Sequence, residues 1–129
     1  MTTTDITETV ETYVDFWNAD EAEQRRIANE LFTEGVEYRS PVGYFAGVDA
    51  LVQFRTQFIA NVGDAQLRAR HAVEHHHDRA RLAWEIVLAD GTSFAEGTDV
   101  ITLTPDGRVR EVDAFLDRPP AGFAEHHHE

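Results

Sequence analysis

The chain has no cysteine and no lysine among its 129 residues. Disulfides and thiolate metal sites are therefore excluded, although this says little about compartment. No apolar run reaches the length of a membrane helix, and Met1-Thr2-Thr3-Thr4-Asp5 lacks the basic region of a signal peptide. A cytoplasmic protein is the resulting expectation. Positive charge is scarce: eleven arginines face 24 acidic residues, for a formal net charge of −13. Such a balance repels nucleic acid and anionic membranes, so neither is expected as a partner. The acidic excess is read as maintaining solubility. There is no internal repeat and no low-complexity linker. With 42% hydrophobic residues, the composition suits one domain with one core.

The clearest pattern runs from Arg79 to Leu116. Leu82, Trp84, Ile86 and Leu88 alternate with Ala83, Glu85 and Val87, the period of a strand. Asp90-Gly91 supplies the residues of a tight hairpin turn. Thr92–Leu103 is β-branched and aromatic, Thr104-Pro105-Asp106-Gly107 is a second turn, and Arg108–Leu116 alternates again. Three consecutive antiparallel strands follow from this, and such a sheet needs cover on one face.

The first sixty residues supply that cover. Asp5-Ile6-Thr7-Glu8 fits a capping box, and Ile6, Val10, Tyr13, Val14 and Trp17 recur at helical spacing, which predicts a first helix over Asp5–Asn18. Asp20 and Glu23 repeat the cap for a second helix, with Ile27, Ala28, Leu31 and Phe32 as its buried stripe and Gly35 placed to end it or begin the next turn. Val36–Ser40 reads as a short strand stopped by Pro41. Pro41–Gly47 reads as a loop. Leu51, Phe54 and Phe58 mark a third helix, broken at Asn61–Asp64. Ala65–His76 reads as one long strand. The order predicts an α+β fold: a cone-shaped, curved antiparallel sheet wrapped over three N-terminal helices, with a cavity mouth near Pro41–Gly47 and the C-terminal end. One domain is expected over residues 1–118, with a loosely held tail over 119–129.

Three segments carry a family resemblance. They are Tyr13-Val14-Asp15-Phe16-Trp17-Asn18-Ala19-Asp20, then Tyr38-Arg39-Ser40-Pro41-Val42-Gly43 with Phe45–Leu51, then Gly97–Leu103 with Asp106-Gly107-Arg108-Val109. Over about residues 5–118 the chain resembles the nuclear-transport-factor-2-like superfamily, and within it the SnoaL-like and ketosteroid-isomerase-like proteins. The resemblance implies a cystatin-like α+β barrel and, commonly in such relatives, a homodimer through the outer sheet face. It does not select an activity, because this fold hosts isomerases, cyclases, dehydratases, epoxide hydrolases and non-enzymatic binders. In the isomerase relatives a helix-one tyrosine and a protonated aspartic acid bind an oxyanion. Tyr13 and Asp99 match those positions. Ser40 stands where the relatives carry their general base, and a neutral hydroxyl cannot abstract a carbon-bound proton unaided.

The candidate catalytic residues are thus Asp99, Tyr13 and His76, with His71 the other histidine able to replace the missing base. Trp17, Tyr38, Ser40, Phe54, Phe58, Trp84 and Ile101 are expected to line the cavity with Tyr13 and Asp99. Each has a plainer reading: Asp99 as an exposed carboxylate paired with an arginine, Tyr13 as a core aromatic with a satisfied hydroxyl, and the histidines as surface residues. His75-His76-His77 and His126-His127-His128 invite a metal reading. Consecutive strand residues point to opposite faces, so no metal site and no cofactor is expected. Two function classes stay open. One is acid–base catalysis on a small hydrophobic carbonyl or polyketide-like molecule. The other is a non-catalytic small-molecule-binding or dimerising accessory domain.

Overall fold

The computed structural model describes residues 3–122, with side chains from Ile6 onward. The His126–His128 run, the Asp5 capping side chain and most of the proposed tail lie outside the described residues. Helix α1 spans Thr3–Asn18 and α2 spans Glu21–Leu31. The Asp20 carboxylate accepts the Glu23 backbone N–H at 3.0 Å, the cap that the spacing predicts. Helix α3 covers Val48–Val62 and buries Leu51 and Val52.

Seven strands follow or intervene: β1 Phe32–Ser40, β2 Gly43–Ala46, β3 Ala65–Ala69, β4 Glu74–His76, β5 Arg79–Leu88, β6 Ser93–Leu103 and β7 Val109–Arg118. They form one curved, unclosed sheet in the order β2-β1-β7-β6-β5-β3, with β4 also on β5. The three-strand unit β5–β6–β7 is antiparallel, as the alternation predicts. The helices cover one face: α1 lies against β3 and β5, and α3 against β1 and β2.

Four expectations about the elements need correction. The sheet is mixed, because β1 runs parallel to β7. The chain leaves β1 through β2 and α3 and returns to its edge only with the last strand, so direction is decided by a long crossover that local periodicity does not report. Gly35 does not end α2. The helix stops at Leu31, Phe32 is already extended, and Gly35 lies in a bulged part of β1 between the Phe32 and Glu37 pairings. Pro41–Gly47 is not simply a loop, because Gly43–Ala46 folds back on Glu37–Ser40 as a hairpin. Ala65–His76 is two strands. Ala69 faces Trp84 and Glu74 faces Arg81, so the 65–76 segment carries two residues more than β5 between those pairings and must leave the ladder. Arg70 fills the break: its backbone N–H donates to Ala83 O at 2.8 Å, its Nε to Trp84 O at 3.0 Å, and its Nη2 to Gly97 O at 2.9 Å.

The core lies between the helix layer and the inner sheet face. Phe16 meets Phe32 edge-to-face at 4.9 Å and Trp17 at 5.0 Å, and Tyr13, Leu51, Leu82, Ile101 and Val112 are fully enclosed. On the opposite face Arg39 pairs with Glu37 and Asp113, and the Tyr44 hydroxyl donates to Glu37 at 2.9 Å.

Candidate active site

Residue alternation places Gly97, Asp99 and Ile101 on the inner face of β6, opposite Trp84, Leu82 and Ala80 of β5. Asp99 is 2% exposed. One carboxylate oxygen accepts the Tyr13 hydroxyl at 2.6 Å and the other accepts the Trp84 indole N–H at 2.8 Å. The reading of Asp99 as an exposed, arginine-paired carboxylate is therefore set aside by the geometry. Burial pushes its pKa up to about 6, and the two donors pull against that rise. Tyr13 is held well above the usual phenol range by burial first and then by the nearby Asp99 charge, so it remains a donor at any ordinary pH.

Gly97 explains how the indole reaches the carboxylate. A Cβ on Gly97 would lie 2.2 Å from the Trp84 ring and 2.4 Å from the Phe115 carbonyl oxygen. Only a residue without a side chain lets Trp84 lie across β6 at this level, with its N–H two residues further along at Asp99.

Asp99 and Trp84 form part of the wall of a cavity of about 380 Å³ between α3 and the inner sheet face. The buried members of that wall are Tyr38, Trp84, Ala95, Asp99 and Ala114. Its exposed members, among them Val42, Gln57 and Asn61, mark the mouth. Phe54 stacks on Phe45 at 4.6 Å, Trp17 meets Tyr38 at 5.7 Å and Phe58 meets Phe94 at 5.5 Å, giving a largely aromatic lining. Of the residues expected in the lining, the geometry brings Trp17, Tyr38, Ser40, Phe54, Phe58, Trp84 and Asp99 to it.

Tyr13 and Ile101 are not on the wall. Both are fully buried, and Tyr13 stands behind Asp99 rather than beside the cavity. Ser40 is committed to its own hairpin, donating to Gly43 O at 3.3 Å and accepting from Val42 N. His76 is corrected in place. It lies exposed on β4, opposite Arg79, with its ring 5.4 Å from His77. Because the strand breaks at Arg70, the histidine turn is carried past the cavity, and exposed His71 does not reach the wall either.

Much of the rest of the wall escaped the sequence reading, and two of those residues, Phe94 and Arg55, have an identifiable reason. Phe94 has the wrong parity for the inner face, but it is the extra residue of a bulge between the Ile86–Ala95 and Val87–Ser93 pairings. Arg55 lies on the cavity side of α3 and its Nε donates to Trp17 O at 2.9 Å, near the end of α1. Its position three residues before Phe58 on the same helix was the available signal.

A family model for the SnoaL-like domain matches residues 10–112. No curated protein sequence matches the chain. Among solved structures, a SnoaL-like family protein from Agrobacterium tumefaciens superposes with a TM-score of 0.82 at 24% identity, covering 88% of this chain and 98% of that one. A cystatin-fold protein from Methylobium petroleophilum gives 0.74 at 17% identity, covering 98% and 84%. A protein from Jannaschia named for the SnoaL-like polyketide cyclases gives 0.70 at 20% identity, covering 88% and 86%. At these identities the structural likeness establishes the fold.

Proposed function

The chain belongs to the SnoaL-like domain family of the nuclear-transport-factor-2-like superfamily, and from there we propose that it is an acid–base catalyst acting on a small hydrophobic carbonyl compound, with Asp99 as the proton-transfer group. One observation carries this reading. A carboxyl group sealed by protein on most sides still faces an apolar cavity, with a pKa of about 6. That value lies close to neutral pH, where a proton-transfer group is most effective. Each oxygen accepts one donor and keeps a lone pair in reserve. At neutral pH the carboxylate takes a proton from the carbon beside the substrate carbonyl. The C–H electron pair moves through to the carbonyl oxygen as an enolate, and the proton is returned from Asp99 to a different atom. A single carboxyl thus takes over the base role that the resemblance places at Ser40.

The cavity volume falls in the range of small-molecule sites, roughly 300–1,000 Å³. The test is to follow the Asp99 carboxyl carbon by NMR across pH. A midpoint near 6 is expected, against about 3.9 for a solvated aspartate. A midpoint below 4.5 would remove Asp99 from the chemistry.

A non-catalytic binder is the second reading, favoured by one feature. Among the described residues, no other carboxylate and no histidine shares the cavity wall with Asp99. Compounds that bind without turnover, together with an ordinary Asp99 titration, would select it.

The homodimer belongs here too. Tyr44 and Phe115 are more than half exposed, and alternation turns Phe115 to the face opposite Ala114. Pairing through that outer face would cover it. Sedimentation equilibrium is expected to give twice the chain mass at tens of micromolar, on the order of weak specific association. A single-chain mass throughout would reject the pairing.

A further inference from the structure

With Tyr13 bonded to Asp99, the cavity needs another group to hold a substrate oxygen. Tyr38 is the aromatic hydroxyl left to do so. It stands on β1, 8% exposed, with its ring wedged among Trp17, Phe45 and Phe54 at centroid distances of 5.7, 6.2 and 5.8 Å. Those contacts fix the ring plane and leave only the hydroxyl to rotate. Among the described residues that hydroxyl has no hydrogen-bond partner, and it is not sealed within protein. A buried tyrosine hydroxyl ordinarily finds a partner, because leaving it unpaired forfeits the bond it had in water. The residue lines the same cavity as Asp99.

We propose that Tyr38 is the substrate-oxygen donor of this site: its hydroxyl hydrogen-bonds the carbonyl oxygen of a cyclic or aromatic ketone and holds the adjacent C–H at Asp99. This rests on the carbonyl-binding reading above and deepens it. It also moves the oxygen-binding role from helix one, where the family resemblance implies it, to strand β1. Tyr38 suits the role electrically. Burial and then the neighbouring Asp99 charge hold its pKa well above the phenol range, so it stays a neutral donor. As the C–H bond breaks and charge gathers on the carbonyl oxygen, the bond from Tyr38 strengthens, which favours the transition state over the bound ketone. The tyrosine keeps its proton throughout, and the only proton transferred is the one taken and returned by Asp99.

The class of ligand follows from the wall. Trp17, Phe54, Phe58 and Phe94 offer ring faces and edges to a flat apolar body. Buried Tyr38 offers one donor to an oxygen, and half-buried Arg55 also stands on the wall. A two-ring ketone with its carbonyl at one end fits that description better than an aliphatic chain.

The test uses two probes of nearly equal shape, 2-acetylnaphthalene and 2-ethylnaphthalene, titrated against the full chain at pH 8, where Asp99 is ionised and cannot donate. The ketone is expected to bind roughly 3- to 10-fold more tightly than the hydrocarbon, the contribution of one hydrogen bond. Tyr38→Phe keeps the ring and should erase that preference while leaving hydrocarbon affinity unchanged. A role in packing alone would move both probes together. The carbonyl stretch of ¹³C-labelled ketone bound to the unaltered protein gives a reading without any variant: it should shift to lower frequency than in hexane. Preference that survives Tyr38→Phe and vanishes in Arg55→Met or Ser40→Ala would overturn the assignment. So would an unshifted carbonyl stretch. If neither probe binds, the carbonyl-binding reading fails and this inference goes with it. Binding without dependence on Tyr38 defeats this inference alone.

Discussion

Asp99→Asn is expected to abolish proton transfer while making the folded protein more stable at neutral pH. The two effects have one cause. In the native protein an ionised carboxylate is held almost out of water, and among the described residues the Tyr13 and Trp84 donors compensate for its lost hydration. The folded protein therefore binds the Asp99 proton more tightly than the unfolded chain does, with pKa values of about 6 and 3.8. Stability from this group is complete below about pH 4, falls as pH rises from 4 to 6, and levels off above that. The cost at pH 8 is on the order of 3 kcal/mol. Asparagine carries no charge to bury. Its oxygen can accept from Trp84 and its amide can donate to the Tyr13 oxygen, so both contacts survive with one reversed. Chemical denaturation of parent and variant at several pH values should show the variant's advantage growing through pH 4–6 and reaching up to roughly 3 kcal/mol at pH 8. Loss of a positioned acid–base group should cost a factor of about 10² to 10⁴ in turnover. Equal stability of the two proteins at pH 5 and pH 8 would mean that Asp99 titrates normally.

Gly97→Ala should have a large effect for a change of one methyl group. The added carbon would sit inside contact distance of two groups, the Trp84 ring at 2.2 Å and the Phe115 carbonyl at 2.4 Å. The indole can swing away, but the carbonyl belongs to the β7 backbone that pairs with β6 at this point. Overpacking of this kind costs about 1–3 kcal/mol, and displacing the indole also removes one of the two donors on the Asp99 carboxylate. The expected result is a loss of roughly 3–5 kcal/mol in the denaturation midpoint analysis, together with a further rise in the Asp99 pKa. Trp84→Leu in the Gly97→Ala background should restore only part of the loss, because it relieves the ring contact and leaves the carbonyl contact in place. Full restoration would show that the Phe115 backbone yields freely. An unaltered stability in Gly97→Ala alone would refute the packing argument.

The fold was legible in the sequence where a local signal has a local cause. Helices α1 and α2 announce themselves through apolar spacing and the Asp20 cap, and β5, β6 and β7 through strict alternation between two turn motifs, Asp90-Gly91 and Thr104–Gly107. Alternation also placed Asp99 on the same face as Gly97 and Ile101, and the facing ring of Trp84 is a consequence of hairpin register. The aromatic and polar part of the cavity wall followed, because Tyr38 and Ser40, Phe54 and Phe58, and Trp17 each share a face with the core.

What the sequence could not express was anything set by counting residues across strands far apart in the chain. The break at Arg70, the bulges at Gly35 and Phe94, and the parallel pairing of β1 with β7 arise from register between distant segments, where each extra residue changes which face its neighbours present. Those shifts carried the histidine turn past the cavity and brought Phe94 into it. The division of labour between Tyr13 and Tyr38 was decided in the same way. Both are apolar-face tyrosines in the sequence. Only the packing of α1 against the inner sheet face puts one hydroxyl on Asp99 and leaves the other, among the described residues, without a partner in the cavity. By itself the sequence determined which residues share a face within each regular stretch, because side-chain direction there follows from helix and strand periodicity. Tertiary structure decided which of them meet, because contact between distant segments depends on register, bulges and strand order that no local period encodes.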